Sequence, residues 1–227
     1  MKDMKLVSLP FTVMALAFCL CFIADGLMDL KVCSAFGVPF VTGILVIPVS
    51  YIASDCLVEV YGYRMARFVM WMTFAAHVLL LCLLQITCAM PASPSWEGEE
   101  HFQFIFGLAP RVALASMAAF LAGSTVNACI MSKMKVASGG AGFKWRAFVS
   151  TVFGETADAF AYFTLAFAGM LPMTEIIIMA AVQAAGKSAY EACVLPVTER
   201  IVAYVKAHDG IDTFDSSVSY NPFSLRV

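Results

Sequence analysis

The sequence predicts an all-α fold, a polytopic membrane protein with six transmembrane helices and with both termini in the cytoplasm. Three observations lead to this prediction. Hydrophobic residues make up 61% of the 227 residues, well above the roughly 45–50% of soluble domains. Charged residues make up only 13%, about half of the usual share. The apolar residues fall into six long blocks that short polar connections separate.

This composition excludes several classes of protein. A soluble fold of this length would leave large apolar patches exposed, and a disordered chain would be far more polar. The 14 Lys and Arg residues face 16 Asp and Glu residues, so a basic nucleic-acid-binding protein is not expected. The expected partner of the chain is the lipid bilayer.

Each block is long enough to cross the bilayer, which takes about 17–25 residues of helix. Runs that are apolar on every side favour helices over the alternating strands of a membrane barrel. Pro39 and Pro48 indicate that the second helix begins late or is kinked. The predicted blocks run from Leu6 to Ala24, Val38 to Ser54, Ala66 to Met90, Arg111 to Met131, Ala147 to Leu171, and Met173 to about Lys206.

The orientation follows from the placement of Lys and Arg, which concentrate in cytoplasmic loops. With the N-terminus inside, only Lys31 and Arg111 lie on the outer side or at its edge, and Lys187 lies inside the sixth block. The first block is longer than the apolar core of a signal peptide, so we expect it to be retained as a span. The predicted cytoplasmic cations are Lys2, Lys5, Arg64, Arg67, Lys133, Lys135, Lys144, Arg146, Arg200, Lys206 and Arg226.

We expect a single transmembrane domain over residues 1–227, with a short cytoplasmic tail from about residue 207. No cofactor or metal is expected, because the eight cysteines form no Cys-x-x-Cys pair and the three histidines are scattered. The glycines around residue 140 lack the Gly-Lys-Ser/Thr ending of a phosphate-binding loop. The chain itself is therefore not expected to hydrolyse ATP.

Polar residues in apolar surroundings are the candidates for a functional site. A charge at the centre of a bilayer costs about 2.5–3.5 kcal/mol, so such residues tend to face a cavity or a partner. Within each charged group the members are three or four residues apart, and on a helix they share one face. The candidates are Asp55 with Glu59, Glu155 with Asp158, Gln183 with Lys187 and Glu191, and Asn127.

A purely structural role is the alternative for each group. Asp55 and Glu59 would cap the cytoplasmic boundary by pairing with Arg64 and Arg67. The second group would be a pair of acids at the surface where the fifth helix enters the membrane.

For the third group the structural alternative is a local ion pair, because Lys187 and Glu191 are four residues apart on one helix. Asn127 would serve equally well as a hydrogen bond between helices. If all five acids ionise against Lys187 alone, however, the cluster is net negative and favours a cationic ligand, a coupling ion or bound protons.

Aromatic residues near these groups also have two interpretations. They would stack on an aromatic ligand, or they would belong to the belt of aromatic side chains at the membrane surface. These residues are Tyr51, Tyr61, Tyr63 and Trp71.

Several of these residues lie in longer motifs: Asp55-Cys-Leu-Val-Glu59-Val-Tyr-Gly62; Phe106-Gly-Leu-Ala-Pro110-Arg111; Asn127 with Lys133-Met-Lys135; Gly154-Glu155-x-x-Asp158; Lys187-x-x-x-Glu191 with Pro196; and Asp212-x-x-Asp215 with Asn221-Pro-Phe223. In their order and spacing these motifs resemble the vitamin uptake transporter family and, within it, the bacterial transporters of queuosine precursors. The resemblance covers roughly residues 38 to 223. The first helix departs from the family pattern, since Asp25 to Lys31 replaces an Asn-containing segment.

The resemblance implies six helices in a bacterial inner membrane. It also implies import of 7-cyano-7-deazaguanine, 7-aminomethyl-7-deazaguanine or queuine, which feed queuosine modification of transfer RNA. Glu155 or Asp158 would then accept the adjacent N–H donors of the guanine-like edge, and the net-negative pocket would suit the amine-bearing compounds.

Three mechanisms stay open at this point. Secondary transport, coupled to protons through Glu155 or Asp158, is the first. A substrate-binding membrane subunit of an energy-coupling-factor-type importer, which docks to an ATPase module, is the second. An intramembrane enzyme, which would use the carboxylates near Lys187 for acid–base chemistry, is the alternative from another class. The oligomeric state stays open as well.

Overall fold

The structure, a computed structural model, describes residues 8–28, 31–35, 38–107 and 110–223. Leu6, where the first predicted block begins, and the predicted cytoplasmic residues Lys2, Lys5 and Arg226 lie outside these ranges. The elements are α1 Leu9–Met28, β1 Val32–Ala35, β2 Val38–Val41, a 3-10 turn Thr42–Leu45, α2 Ile47–Ala89, α3 Glu99–Phe106, α4 Pro110–Ala137, α5 Phe143–Phe167 and α6 Met173–Asp209.

The described chain is predominantly helical, as the sequence predicts. Three helical segments, Leu9–Met28, Val49–Ala89 and Leu114–Ala137, are both long and apolar enough to cross a membrane. The helices α5 and α6 are also long, at 25 and 37 residues, but they carry most of the charges inside the apolar blocks. Large apolar side chains cover the outside of the bundle, which is the surface expected to face lipid.

The predicted start of the second block is wrong. Val38 to Val41 form a strand that pairs antiparallel with Val32 to Ala35, and α2 begins only at Ile47. Pro48 lies in the first turn of α2, where a missing N–H costs no helical hydrogen bond and the fixed φ angle suits the helix. Pro39 and Pro48 therefore correctly indicated that the second helix begins late.

The helix α2 reverses its direction at Gly62. This residue has φ 84° and ψ 167°, a conformation that is open almost only to glycine. The segments 47–61 and 63–89 therefore run side by side, and Ser54 and Val58 share one small cleft with Ala66 and Met70. The reversal accounts for the two separate blocks that the sequence shows in this region.

The start of α1, the turn of α2 and the end of α6 lie together at one end of the molecule. The hydroxyl groups of Ser8 and Tyr61 both donate hydrogen bonds to the carboxylate of Asp209. At the other end of α1, Phe22 packs against His77, with ring centroids 5.0 Å apart. The two halves of α2 therefore each run along α1 between the same two ends.

The C-terminal segment packs against the bundle, whereas the sequence indicates only a short cytoplasmic tail. We call residues 210–223 the C-terminal strap. Its polar contacts bind it to α2 and α4 around the Gly62 turn. They are Thr213 N to Val60 O (3.1 Å), Tyr63 N to Asp215 (2.8 Å), Ser132 to Asp215, Arg67 to Ser219 O (2.9 Å) and Asn221 O (3.0 Å), and Trp71 to Pro222 O (2.7 Å).

Replacement of Gly62 by alanine tests this arrangement. A Cβ atom at Gly62 would lie 2.8 Å from Thr213 Cγ2 and 2.9 Å from Asp215 Oδ1, and the backbone conformation is strained for any side chain. We expect Gly62→Ala to lower the free energy of unfolding by about 1–3 kcal/mol, measured by denaturation in detergent. Gly186→Ala is the control, since a Cβ there meets nothing within 4 Å. Equal stability of the two variants would contradict the assigned turn.

Candidate functional site

Two glycines bring α4 and α5 into close contact and thereby position polar side chains between the helices. A Cβ atom at Gly123 would lie 2.7 Å from Cβ of Asp158, and one at Gly154 would lie 2.8 Å from Cβ of Asn127. The two backbones can approach this closely only because neither glycine has a side chain. Asn127 and Asp158 therefore face the same narrow space.

The first polar group of the interior is the carboxylate–lysine site, made of Glu155, Asp158 and Lys187. The Lys187 Nζ atom lies 3.0 Å from Glu155 Oε2 and 3.3 Å from Asp158 Oδ2. These three side chains keep 15–24% of their surface exposed, so the site is only partly buried. Tyr51 of α2 lies beside Glu155, and Asp25 of α1 is near enough to interact electrostatically with Lys187.

The second polar group is the acid pair of Asp55 and Glu191, each only 1% exposed. Their carboxyl groups interact directly with each other. Oδ2 of Asp55 and both oxygens of Glu191 have no hydrogen-bond donor in the described structure. The Asn127 amide lies beside Asp55, and the Thr151 hydroxyl lies beside Glu191.

The third polar group is the Glu59 cluster, in which a buried carboxylate meets cations from three other helices. Lys206 of α6 and Arg146 of α5 lie 2.7 Å and 2.9 Å from Glu59 Oε1, and Lys135 of α4 lies 3.8 Å away. Asp212 of the C-terminal strap pairs with Lys206 at 2.9 Å and also with Lys135. Partial burial would raise the pKa of Asp212, but its hydrogen bonds from Lys135 and Lys206 outweigh that effect and keep the pKa below its usual value.

These three groups follow one another along the helices. Tyr51, Asp55 and Glu59 are four residues apart on α2, so each lies about 6 Å further along the axis. On α6 the order is the same, because Lys187 comes first, Glu191 follows one turn later and Lys206 lies near the end. The acid pair therefore lies between the carboxylate–lysine site and the Glu59 cluster.

The structural alternatives predicted for the acids differ from what the structure shows. Lys187 pairs with α5 instead of with Glu191 on its own helix. Glu59 pairs with cations of α4, α5 and α6, and Arg67 is directed to carbonyl groups of the C-terminal strap. Glu155 and Asp158 are partly buried and bridged by lysine, so they are not a surface pair.

Most of the predicted site residues lie in the interior between α2, α4, α5 and α6. Glu59 lies apart from the others in its own cluster, and Gln183 is half-buried one turn before Lys187 on the same face of α6. Of the aromatic candidates, only Tyr51 reaches the site, since Tyr61, Tyr63 and Trp71 contact Asp209 or the strap. The residues that surround the interior are Asp55, Asn127, Glu155, Asp158, Lys187 and Glu191.

Sequence reasoning missed Thr151 and the inward direction of Lys135, Arg146 and Lys206. Thr151 is four residues before Glu155, so the helical spacing contained a signal for it. The three cations lie at block ends, where a solvated cytoplasmic position is the usual expectation. Their burial depends on an acid from a distant part of the chain.

Comparison with known proteins adds the following similarities. The family model described as putative vitamin uptake transporter matches residues 41–201. A probable queuosine precursor transporter of Bacillus subtilis (strain 168) is 27% identical over 151 residues, which are 66% of this chain and 66% of that protein. A protein of the same name from Haemophilus influenzae is 25% identical over 127 residues, or 55% of this chain and 51% of that protein.

This chain therefore spans about two thirds of the Bacillus protein and about half of the Haemophilus protein. No solved structure matches it. The region matched by the family model contains the whole carboxylate–lysine site and the whole acid pair.

Removal of the lysine charge tests the carboxylate–lysine site. In Lys187→Met the two carboxylates face each other with no cation between them. We expect the free energy of unfolding in detergent to fall by about 1–3 kcal/mol, between the values for exposed and buried ion pairs. Lys144→Met is the control, because its pair with Glu199 is about half exposed and contributes little. An equal fall in the free energy of unfolding of Lys187→Met and Lys144→Met would contradict the assigned ion pairs of Lys187.

Proposed function

The chain belongs to the putative vitamin uptake transporter family, and we propose that it imports queuosine precursors across a bacterial inner membrane. It is a multi-pass membrane transporter and not an enzyme. The proposed substrates are 7-cyano-7-deazaguanine, 7-aminomethyl-7-deazaguanine and queuine. The observation that carries the proposal is the carboxylate–lysine site with Asn127, a set of hydrogen-bonding groups in the interior of an apolar bundle.

The chemistry of this site suits the edge of a guanine-like base. Such an edge presents adjacent N–H donors, which one carboxylate accepts as a pair. The Oδ1 atom of Asn127 is a buried acceptor without a hydrogen-bond donor in the described structure, and Oε2 of Glu155 contacts Lys187 at 3.0 Å. The Asn127 amide also offers a donor, and the ring of Tyr51 beside Glu155 offers a flat surface for the base.

The charge of the interior favours the amine-bearing precursors. The candidate site contains four acids, Asp55, Glu155, Asp158 and Glu191, and one cation among its described residues, Lys187. A cationic substituent on the base would reduce this excess of negative charge. We therefore propose that the aminomethyl compound and queuine bind more tightly than the neutral nitrile.

We propose six spans and cytoplasmic termini. The reversal at Gly62 supports two spans within α2, and the contact of Ser8 with Asp209 supports termini on one side. The cations Arg64, Lys133 and Arg200 lie near this end, which fits the cytoplasmic face. Residues 1–227 would then form one transmembrane domain, with the C-terminal strap on the cytoplasmic side.

Secondary transport is the proposed mode, because no nucleotide-binding motif occurs in the sequence. The alternative is a substrate-binding subunit of an energy-coupling-factor-type importer. A transporter of the first kind works alone in a foreign host, whereas a subunit of the second kind needs its ATPase module.

Queuosine in transfer RNA is the readout that tests the proposal. The chain is expressed in a bacterial host that makes no precursor and has no transporter for it, with each compound supplied at low concentration. We expect wild-type protein to restore queuosine and Glu155→Gln to abolish restoration while the protein stays folded, because the amide accepts only one N–H of the base edge in the same geometry. Glu175→Gln on the exposed first turn of α6 is the control.

Two outcomes would contradict the proposal. No restoration by the wild-type chain, despite verified insertion in the membrane, would favour the partner-dependent subunit or another ligand. Full restoration by Glu155→Gln would show that the base binds elsewhere.

A further inference from the structure

We propose that Asp55 and Glu191 form a proton-binding site separate from the carboxylate–lysine site, and that its proton drives uptake. The role in uptake rests on the proposed function, whereas the presence of the bound proton does not. From the sequence alone, Glu155 or Asp158 is the expected site of proton coupling. The contacts of Lys187 favour a different pair of carboxyl groups.

Without a bound proton, the contact between the two carboxyl groups of the acid pair would join two acceptors. Both side chains are 1% exposed and face each other, and three of their four oxygens have no donor. Independently, the hydroxyl of Thr151 lies beside Glu191, is 2% exposed and is itself unpartnered. Hydroxyl and amide neighbours can each supply one donor, but a carboxyl–carboxyl contact needs a proton of its own.

The groups that face the pair from every packed element are acidic or neutral. On α2 these are Tyr51 and Glu59, on α4 Asn127, and on α5 Thr151 and Glu155. Two ionised carboxylates in this setting would repel each other with little solvent to screen them. A single shared proton converts the contact into a carboxyl–carboxylate hydrogen bond and removes one negative charge.

The nearest cations are engaged elsewhere. Lys187, one turn before Glu191, contacts Glu155 and Asp158. In the Glu59 cluster, Arg146 contacts Glu59, and Lys206 and Lys135 contact Glu59 and Asp212. Lys187 balances part of the negative charge of Glu155 and Asp158, whereas no cation pairs with Asp55 or Glu191 in the described structure. The proton and the substrate would therefore bind to different carboxyl groups.

One residue connects the two sites. Glu155 contacts Lys187 in the carboxylate–lysine site and also interacts with Glu191 of the acid pair. A base that binds to Glu155 changes the charge that Glu191 experiences, so each ligand alters the affinity for the other. This contact is the proposed physical link between substrate and proton.

Infrared spectroscopy of the purified protein tests the site without any substrate. We expect the carbonyl band of a protonated carboxyl group in the wild-type protein at neutral pH. Glu191→Gln and Asp55→Asn should each remove the band, because the remaining carboxylate then accepts from the new amide. Glu199→Gln, eight residues further along α6 and half exposed, should keep it.

Thr151→Val keeps both acids, so it tests the site even if the amide variants fail to fold. We expect it to shift the frequency of the band without removing it, because the neighbouring hydroxyl is lost. A wild-type spectrum without the band would overturn the proposal. A band that survives in either amide variant, or that Thr151→Val leaves unshifted, would do so as well.

Transport in proteoliposomes tests the role of the proton. A pH gradient, alkaline inside, should drive accumulation of substrate by the wild-type protein and by Glu199→Gln. Glu191→Gln should lose this accumulation, and its exchange of labelled for unlabelled substrate should no longer change with the pH on the two sides of the membrane. Accumulation that persists in Glu191→Gln, or that follows a sodium gradient instead of pH, would overturn the coupling role.

The two proposals fail in different ways. If the wild-type protein exchanges none of the three deazaguanine compounds, the proposed function is wrong, and the infrared result still decides whether the pair holds a proton. If exchange occurs and the gradient has no effect, the function stands and the coupling role fails.

Discussion

The contact between the Glu59 carboxylate and its three cations is the interaction on which the rest of the bundle depends. It connects α2, α4, α5 and α6 through one buried acid, and Asp212 attaches the C-terminal strap to two of these cations, Lys135 and Lys206. Loss of one member from such a buried group leaves an uncompensated charge, which typically costs about 3–5 kcal/mol. The cluster fixes the relative positions of the helices that carry every other polar group.

Next to this anchor, the Gly123–Gly154 contact sets the distance between α4 and α5. The close approach places Asn127 and Asp158 on one side of the interior, and α6 brings Lys187 and Glu191 to the other side. The functional arrangement thus needs two kinds of contact. A charged contact holds the helix ends, and contacts between small residues bring the helix centres together.

The helical class and the candidate groups could be predicted from the sequence, because both depend on local patterns. Apolar block length predicts a membrane helix, and spacings of three or four residues place acids such as Glu155 and Asp158 on one face. The salt-bridge partners could not be predicted in this way. Spacing favours Lys187 with Glu191, but the packing of α5 against α6 places Glu155 and Asp158 beside Lys187, so tertiary packing overrides the local pair.

The reversal at Gly62 and the C-terminal strap show the same limit. The gap between the second and third blocks predicts a connection after Ser54, but only the structure shows that the chain reverses at Gly62, where a Cβ atom would meet Thr213 and Asp215 of the strap. The strap is polar, so the sequence predicts a solvated tail. Its packing depends on Tyr63, Arg67 and Trp71, which are about 150 residues away in the chain.

We propose that a deazaguanine base binds inside the bundle at the carboxylate–lysine site, and an experimental structure of the protein with bound 7-aminomethyl-7-deazaguanine tests this binding site. We expect density for the base between α4, α5 and α6, with its N–H edge on Glu155 or Asp158. Asn127 should lie within hydrogen-bonding distance of the base, and the acid pair should be free of ligand atoms. A base bound in the apolar cleft between α1, α2 and α4, beside Phe18 and Met70, would contradict it.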